Sequence, residues 1–216
     1  MEIGVLGTGM VGQTIGSKLV QLGHQVMLGS RTAANPKAIA WANEEGSPHA
    51  LYGTFKNAAK FGEIVFNCTL GAASLDVLKQ VGTDNLKGKI LIDVSNPIDY
   101  SGEGLTLTVC NTDSLGEQIQ RAFPETQVVK TLNTMNCNLM VEPDKVPGRT
   151  NVFVSGNDLK SKETVTEILR DWFGWKSIID LGDIKTARGA EMYLVLWSSL
   201  RRVVTAERFN IKVMTP

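Results

Sequence analysis

Cysteine, histidine and net charge are all scarce in this chain, and each scarcity closes a class of function. Three cysteines (Cys68, Cys110, Cys137) and two histidines (His24, His49) among 216 residues give neither a disulfide framework nor a Cys/His cluster at metal-ligand spacing. A protein zinc site is therefore not expected, and a reducing cytoplasm is the expected compartment. Lysine plus arginine number 22, as do aspartate plus glutamate. No net field draws the chain to nucleic acid or to an anionic membrane. The longest unbroken apolar run, Met192 to Trp197, is far too short to span a bilayer. The N-terminus lacks a cationic region ahead of an apolar core, so no secretory signal is expected. What remains is the composition of a globular protein, 43% hydrophobic and 20% charged, long enough for one large domain with a small appendage.

Strand-like and helix-like runs alternate at short intervals. Glu2 to Leu6 reads as a buried strand, and Val11, Ile15, Leu19 and Leu22 recur at helical spacing up to Gly23. Gln25 to Leu28 predicts a second strand, Ala38 to Glu45 a helix, and His49 to Tyr52 a short third strand. Ile64 to Thr69, Lys89 to Val94 and Gln127 to Leu132 read as strands, with helices over Ala73 to Val81 and Leu115 to Phe123. Further on come a strand at Val152 to Val154, a helix at Ser161 to Phe173, a strand at Ser177 to Leu181 and a long helix at Ile184 to Val204. The segments Pro97 to Asp113 and Glu142 to Thr150 read as loops. This order implies an α/β fold, a Rossmann-type doubly wound and mostly parallel sheet. The expected division is a dinucleotide-binding domain over 1–148 and a smaller C-terminal αβ region over 149–216 that completes the sheet and makes a dimer contact. The last helix is apolar nearly all round between Met192 and Leu200, which predicts burial in a core or a subunit interface.

Gly7-Thr8-Gly9-Met10-Val11-Gly12 fits G-x-G-x-x-G, a weak pattern by itself. Here it follows a strand and opens a helix, which is the context its mechanism needs. Gly7 allows the tight turn, Gly9 leaves space for a pyrophosphate, and Gly12 permits close helix packing. The N–H groups of the helix start then face the phosphates. The second strand ends in Leu28-Gly29-Ser30-Arg31-Thr32, where an acid would select NAD. Arg31 can instead pair with a 2′-phosphate while Ser30 and Thr32 donate hydrogen bonds, which points to NADPH.

The chain resembles the F420-dependent NADP oxidoreductase family over nearly its whole length. The resemblance rests on Gly7 to Gly12, Gly23-His24, Gly29-Ser30-Arg31, Asp93-Val94-Ser95-Asn96-Pro97, Lys130 to Thr134 and Asn210 to Val213. The Asp93 to Pro97 and Asn133 segments are equally similar to the cytosolic reductase domain of six-transmembrane metalloreductases. The family resemblance implies hydride exchange between NADP(H) and a deazaflavin. The metalloreductase resemblance implies NADPH and a flavin. Where archaeal deazaflavin enzymes often carry Pro-Trp and a His, this chain has Leu70-Gly71-Ala72 and Asn133. Weak deazaflavin activity, or flavin activity in its place, is the expectation.

In open α/β sheets ligands lie at the carboxyl ends of the strands. That rule selects Thr69, Leu70 and Gly71, then Asn96 and Pro97, then Asn133, Thr134 and Met135. These residues would hold the nicotinamide and an acceptor such as coenzyme F420, FMN or FAD, although the first two segments also suit ordinary strand-end turns. Direct hydride transfer needs no protein nucleophile. His24, Cys68 and Cys137 read as structural, His49 as solvated and Asp183 as a helix cap. Two alternatives remain: an NADPH-binding redox sensor without turnover, and a small-substrate NADPH dehydrogenase using Lys185, Arg188 or Glu191 as acid. Expected partners are a small-molecule redox cofactor and a second copy of the chain, with no nucleic acid and no membrane.

Overall fold

The computed structural model describes residues 1–99, 101, 102, 104–204 and 208–215. Its strands are β1 (Glu2–Leu6), β2 (Gln25–Ser30), β3 (Ala50–Thr54), β4 (Ile64–Asn67), β5 (Ile90–Asp93), β6 (Ile98–Asp99), β7 (Thr106–Leu107), β8 (Gln127–Thr131), β9 (Val152–Gly156) and β10 (Ile178–Gly182). The helices are α1 (Met10–Gln21), α2 (Pro36–Glu45), α3 (Phe55–Phe61), α4 (Gly71–Val81), α5 (Leu115–Ala122), α6 (Cys137–Val141), α7 (Leu159–Glu167) and α8 (Ala187–Val203). Eight strands form one sheet in the order β10-β9-β8-β5-β4-β1-β2-β3. All neighbours are parallel except β8 and β9. This is the mostly parallel Rossmann-type sheet that the alternation implied.

Helices cover both faces, so the central strands are apolar without a break, and consecutive residues feed opposite cores. Ile3, Val5, Phe66 and Ile92 pack on one side with Ile15, Leu19, Trp41 and Trp175. Leu6, Val65 and Leu91 pack on the other with Ala58, Leu78 and Ile119. The chain direction reverses its winding at β1, which lies between β2 and β4. A crevice opens at the carboxyl ends of β1 and β4 for that reason.

Several short elements depart from the sequence reading. A seven-residue helix, α3, follows β3 directly. It is held by a reciprocal cap in which the Asn57 N–H donates to Thr54 Oγ1 (3.1 Å) and the Thr54 N–H to Asn57 Oδ1 (3.0 Å). The five-residue α6 starts at Asn136, whose side chain accepts from the Asn138 N–H. Within the expected loop over Pro97 to Asp113, β6 and β7 pair as a small antiparallel ribbon. Tyr100 and Glu103 of that loop lie outside the described residues. The helix expected over Ser161 to Phe173 is α7 followed by a π-helical turn over Ile168–Trp172.

The last helix meets the core arm of its expectation only in part. α8 buries Ala187, Ala190, Glu191 and Leu194, but Val195 is 44% and Leu196 55% exposed. Within the single chain the stretch from Met192 to Leu200 is thus only partly covered, with Trp197, Ser198 and Leu200 half-buried and Val195, Leu196 and Ser199 exposed. The reading of His49 is corrected: it is half-buried and its Nδ1 is enclosed, not solvated. His24 packs against Trp172, with ring centroids 4.3 Å apart, and Asp183 accepts from the Lys185 N–H as a cap.

Candidate active site at the strand ends

The glycine loop joins β1 to α1. Gly7 has φ of +122° and faces the Cys68 carbonyl so closely that no Cβ fits, which explains the glycine at this turn. Gly12 is pressed on the Gly7 carbonyl, with the Val5 side chain next. Gly9 is different: a Cβ there meets nothing within 4 Å. It is the N-cap of α1, and no side chain caps that helix. The N–H groups of Met10 and Val11 therefore begin a helix whose positive end faces open space, a fit for an anionic pyrophosphate. At the end of β2, Arg31 and Thr32 are exposed. Ser30 is buried and its Oγ donates to the Thr32 carbonyl at 2.5 Å. Its hydroxyl proton is thus committed within the chain, which leaves Arg31 and Thr32 as the exposed polar groups of this turn.

The three strand-end segments meet. Gly71, at the start of α4, abuts the backbone of Asn96 and Pro97 with no space for a side chain. Asn96 Nδ2 donates to the Asn133 carbonyl (2.9 Å), and Asn133 Nδ2 donates to Asn96 Oδ1 (3.0 Å) and to the Ala190 carbonyl of α8 (3.1 Å). Leu132, just before, is buried with a φ of +61°. This costly left-handed turn for a side-chain-bearing residue is held in place by the clamp that follows it.

Beneath these segments runs a buried polar network. Lys130 Nζ on β8 is fully buried. It pairs with Asp93 Oδ2 (2.8 Å) and Glu191 Oε1 (2.8 Å) and donates to the Ser95 carbonyl (2.5 Å). Asp93 Oδ1 accepts from Ser95 Oγ (2.6 Å) and Asn67 Nδ2 (2.8 Å), and Asn67 Oδ1 accepts from Thr69 Oγ1 (2.7 Å). Glu191 also accepts from the Leu115 and Gly116 N–H groups at the start of α5 (2.8 and 3.0 Å). Burial alone would lower the Lys130 ammonium, but the charges of Asp93 and Glu191 outweigh it and hold it above the ordinary lysine range. Arg188 forms a two-pronged pair with Glu117 (2.8 and 2.6 Å). That pairing, more than the opposing burial, lowers the Glu117 carboxyl.

Above the network lies a cavity of about 370 Å³, within the range of small-molecule sites. Met10, Val11, Leu70, Met135, Met140 and Trp197 give it apolar walls, and Thr69, Ser95, Asn96 and Asn136 supply polar edges. Cys68 and Cys137 also line it. Burial, and secondarily the Asp93 charge, pushes the Cys68 thiol far up, so it is no thiolate nucleophile.

Residues 2–97 match the family model for NADP oxidoreductase, coenzyme F420-dependent. Over the full length of both chains, the protein is 48% identical to the crystal structure of a candidate F420-dependent NADP-reductase from Arthrobacter sp. FB24, with a TM-score of 0.94. The chain belongs to the F420-dependent NADP oxidoreductase family. It is also 30% identical to metalloreductase STEAP3 of Rattus norvegicus over 88% of this chain and 36% of that protein. The chain thus spans about a third of the length of the curated relatives it matches. No helix among the described residues is long and apolar enough to cross a membrane. A reductive aminase from Aspergillus terreus in complex with NADPH shares the fold, at 19% identity over 94% of this chain and 61% of that one, with a TM-score of 0.65.

Within the family frame, the sequence-selected residues divide into two groups. Met10, Val11, Thr69, Leu70, Gly71, Asn96 and Met135 line the cavity. Pro97, Asn133 and Thr134 are not in its wall: Pro97 packs on Gly71, and Asn133 and Thr134 are buried. The amide of Asn133 is spent on Asn96 and Ala190, so it positions the wall and does not contact its contents. The sequence reading gave no site role to Trp197, Met140 or Asn67, whose Nδ2 also donates to Ser74 Oγ (3.1 Å), and it named Lys130 only within the resemblance and Glu191 only as an acid, not as members of one network. A signal for the network was present, because Lys130 and Asp93 interrupt otherwise apolar strands and buried charges must be paired. Lys130→Met leaves Asp93 and Glu191 facing each other without a cation. It should cost about 3–5 kcal/mol of stability, read as a lowered urea midpoint; an unchanged midpoint would show that the triad is dispensable.

Proposed function

We propose that this oxidoreductase passes hydride between NADP(H) and a planar conjugated acceptor, a flavin or deazaflavin, in the cavity at the strand ends. The observation that carries this reading is the cavity itself. Methionine, leucine and tryptophan side chains form smooth apolar walls immediately beyond Gly9 and the open end of α1. NADPH would lie with its pyrophosphate on the Gly7 to Gly12 loop and its 2′-phosphate against Arg31 and Thr32. Its nicotinamide would reach Thr69, Leu70, Gly71 and the Asn96-Pro97 turn. Bound there, NADPH would supply a hydride from nicotinamide C4 and be oxidised to NADP⁺ as the acceptor ring is reduced. The chain supplies placement, and the two cofactors supply the chemistry.

The small-substrate dehydrogenase reading needs an acid at the nicotinamide. Each candidate on the last helix is engaged elsewhere or turned out. Arg188 pairs with Glu117, Glu191 holds Lys130 and α5, and Lys185 is exposed. A sensor without turnover agrees poorly with membership of an oxidoreductase family. Among acceptors, the resemblance to the metalloreductase reductase domain favours a flavin over the deazaflavin. The same reading includes a homodimer through α8, whose outer face presents Val195, Leu196 and Val203.

Gly9→Val should keep the fold, since the new side chain enters open space, while abolishing NADPH binding. Arg31→Ala should bring NADPH down to the affinity of NADH. A charge-assisted contact contributes about 1.5–3 kcal/mol, on the order of tenfold to a hundredfold in Kd. Calorimetry with both nucleotides decides both points. Absorbance of NADPH followed with FMN, FAD and coenzyme F420 in turn should show fastest oxidation with a flavin; no oxidation with any of them, despite NADPH binding, removes the planar-acceptor reading. Light scattering at micromolar concentration should give the mass of two chains, and a single-chain mass refutes the dimer.

A further inference from the structure

Trp197 is the one residue that α8 sends to the wall of the cavity. No sequence motif discussed above includes it. Its indole is backed on another side by Phe209, with ring centroids 5.6 Å apart and planes inclined by 23°. The guanidinium of Arg201 sits 5.5 Å from the indole centroid. Phe209 is held in turn by the segment that follows it. Asn210 Nδ2 donates to Thr150 Oγ1 and the Asn151 carbonyl (both 3.1 Å), and the Val213 N–H donates to Asn151 Oδ1 (2.6 Å). The indole is therefore braced from behind, with part of its surface left to the cavity.

Its Nε1 is enclosed and has no acceptor among the described residues. By contrast, the Trp175 indole donates to the Met140 carbonyl and the Trp41 indole to Ser17 Oγ, both at 2.9 Å, and buried indole N–H groups normally find such a partner. A tryptophan that only filled the core would show neither the cavity face nor the idle donor.

We propose that Trp197 is a specificity-determining residue for the hydride acceptor. Its ring borders a planar conjugated ring at a steep angle, not face to face, because the N–H lies in the indole plane; from that position the N–H donates to a carbonyl oxygen on the acceptor ring's edge. The inference rests on the reading that the acceptor occupies this cavity. A conjugated ring with carbonyl groups on one edge, as in flavins and deazaflavins, offers both the flat ring and the acceptor atom. An aliphatic ketone or imine offers no conjugated ring. Trp197 takes no part in bond making; it selects and places the ring that receives the hydride.

The test uses the full chain with Trp197→Phe and Trp197→Ala. NADPH Kd is measured by calorimetry, FMN binding to the NADP⁺ complex by quenching of flavin fluorescence, and FMN KM and kcat by steady-state oxidation of NADPH. Both variants should bind NADPH within about twofold of the natural chain. Trp197→Ala should raise the FMN Kd and KM by about tenfold, and Trp197→Phe, which keeps a ring but loses the N–H, by a smaller factor. If the natural chain binds and reduces FMN and Trp197→Ala does so with the same KM, this inference is overturned and the cavity reading stands. If the natural chain binds NADPH but neither binds nor reduces FMN, FAD or coenzyme F420, both fall together. Loss of NADPH binding in both variants would assign Trp197 a structural role and overturn the proposal.

Discussion

The site depends on one buried cation. Lys130 places three charge-assisted contacts on three different pieces of chain: Asp93 at the end of β5, the Ser95 carbonyl beyond it, and Glu191 on α8. No protein interior accepts such an ammonium unless every donor has a partner. That requirement fixes where β5 ends, how the Ser95 turn leaves it, and at what height α8 crosses β8. The two carboxylates exceed the single ammonium by one negative charge. The N–H groups of Leu115 and Gly116 at the positive end of α5 face Glu191 and offset it. Replacing a buried triad by apolar side chains often leaves stability unharmed, so its value here lies in geometry: it admits one register of strand, turn and helix.

That geometry reaches the cavity through short polar links. Asp93 holds Asn67, and Asn67 holds Thr69, so the ends of β4 and β5 move as one unit. Gly71 seats α4 directly on the Asn96 backbone, and the Asn96–Asn133 exchange ties in the end of β8. The floor of the cavity is thus rigid, whereas its walls carry Met10, Met135 and Met140, whose unbranched thioethers adapt to flat ligands. A floor tied together by hydrogen bonds under adaptable walls fixes the position of a bound ligand while tolerating variation in its outline.

The sequence made the glycine loop's geometry legible and left the arrangement of the strand-end residues obscure. Gly7, Gly9 and Gly12 are read by backbone demands, which are local, and a strand before them with a helix after them completes the signal. The alternation of apolar runs likewise gave the parallel sheet, because both faces of each central strand are covered. By contrast, Asn96 and Asn133 looked like ligand-binding amides, yet they are bonded to one another across 37 positions of sequence. No periodicity reports such a pairing. The stretch from Met192 to Leu200 looked uniformly buried because apolar residues surround it, but which of them face the sheet depends on where Glu191 anchors the helix. Trp197 was passed over for the same reason. The short helix α3 was missed although the Thr54 and Asn57 cap that starts it is a local signal.

The anchoring of α8 also divides the helix into unlike halves. Up to Leu194 it packs on the rest of the chain, and three of its polar groups are satisfied: Arg188 by Glu117, the Ala190 carbonyl by Asn133, Glu191 by Lys130 and α5. From Val195 onward it is only partly covered: Val195, Leu196, Ser199, Arg201, Arg202 and Val203 are exposed, and Trp197, Ser198 and Leu200 are half-buried. Of the enclosed side-chain atoms without a partner, two belong to Tyr193 and Trp197 of this helix, a third to Asn210 in the segment that braces Trp197, and a fourth to Thr134. Enclosed polar atoms left unbonded are uncommon in folded chains. The first half of α8 serves the fold through the Lys130 triad, while the Tyr193 hydroxyl and the Trp197 N–H have no partner among the described residues. Because both halves lie on one continuous helix, the same salt bridges that set the floor of the cavity also set the height at which Trp197 meets whatever enters it.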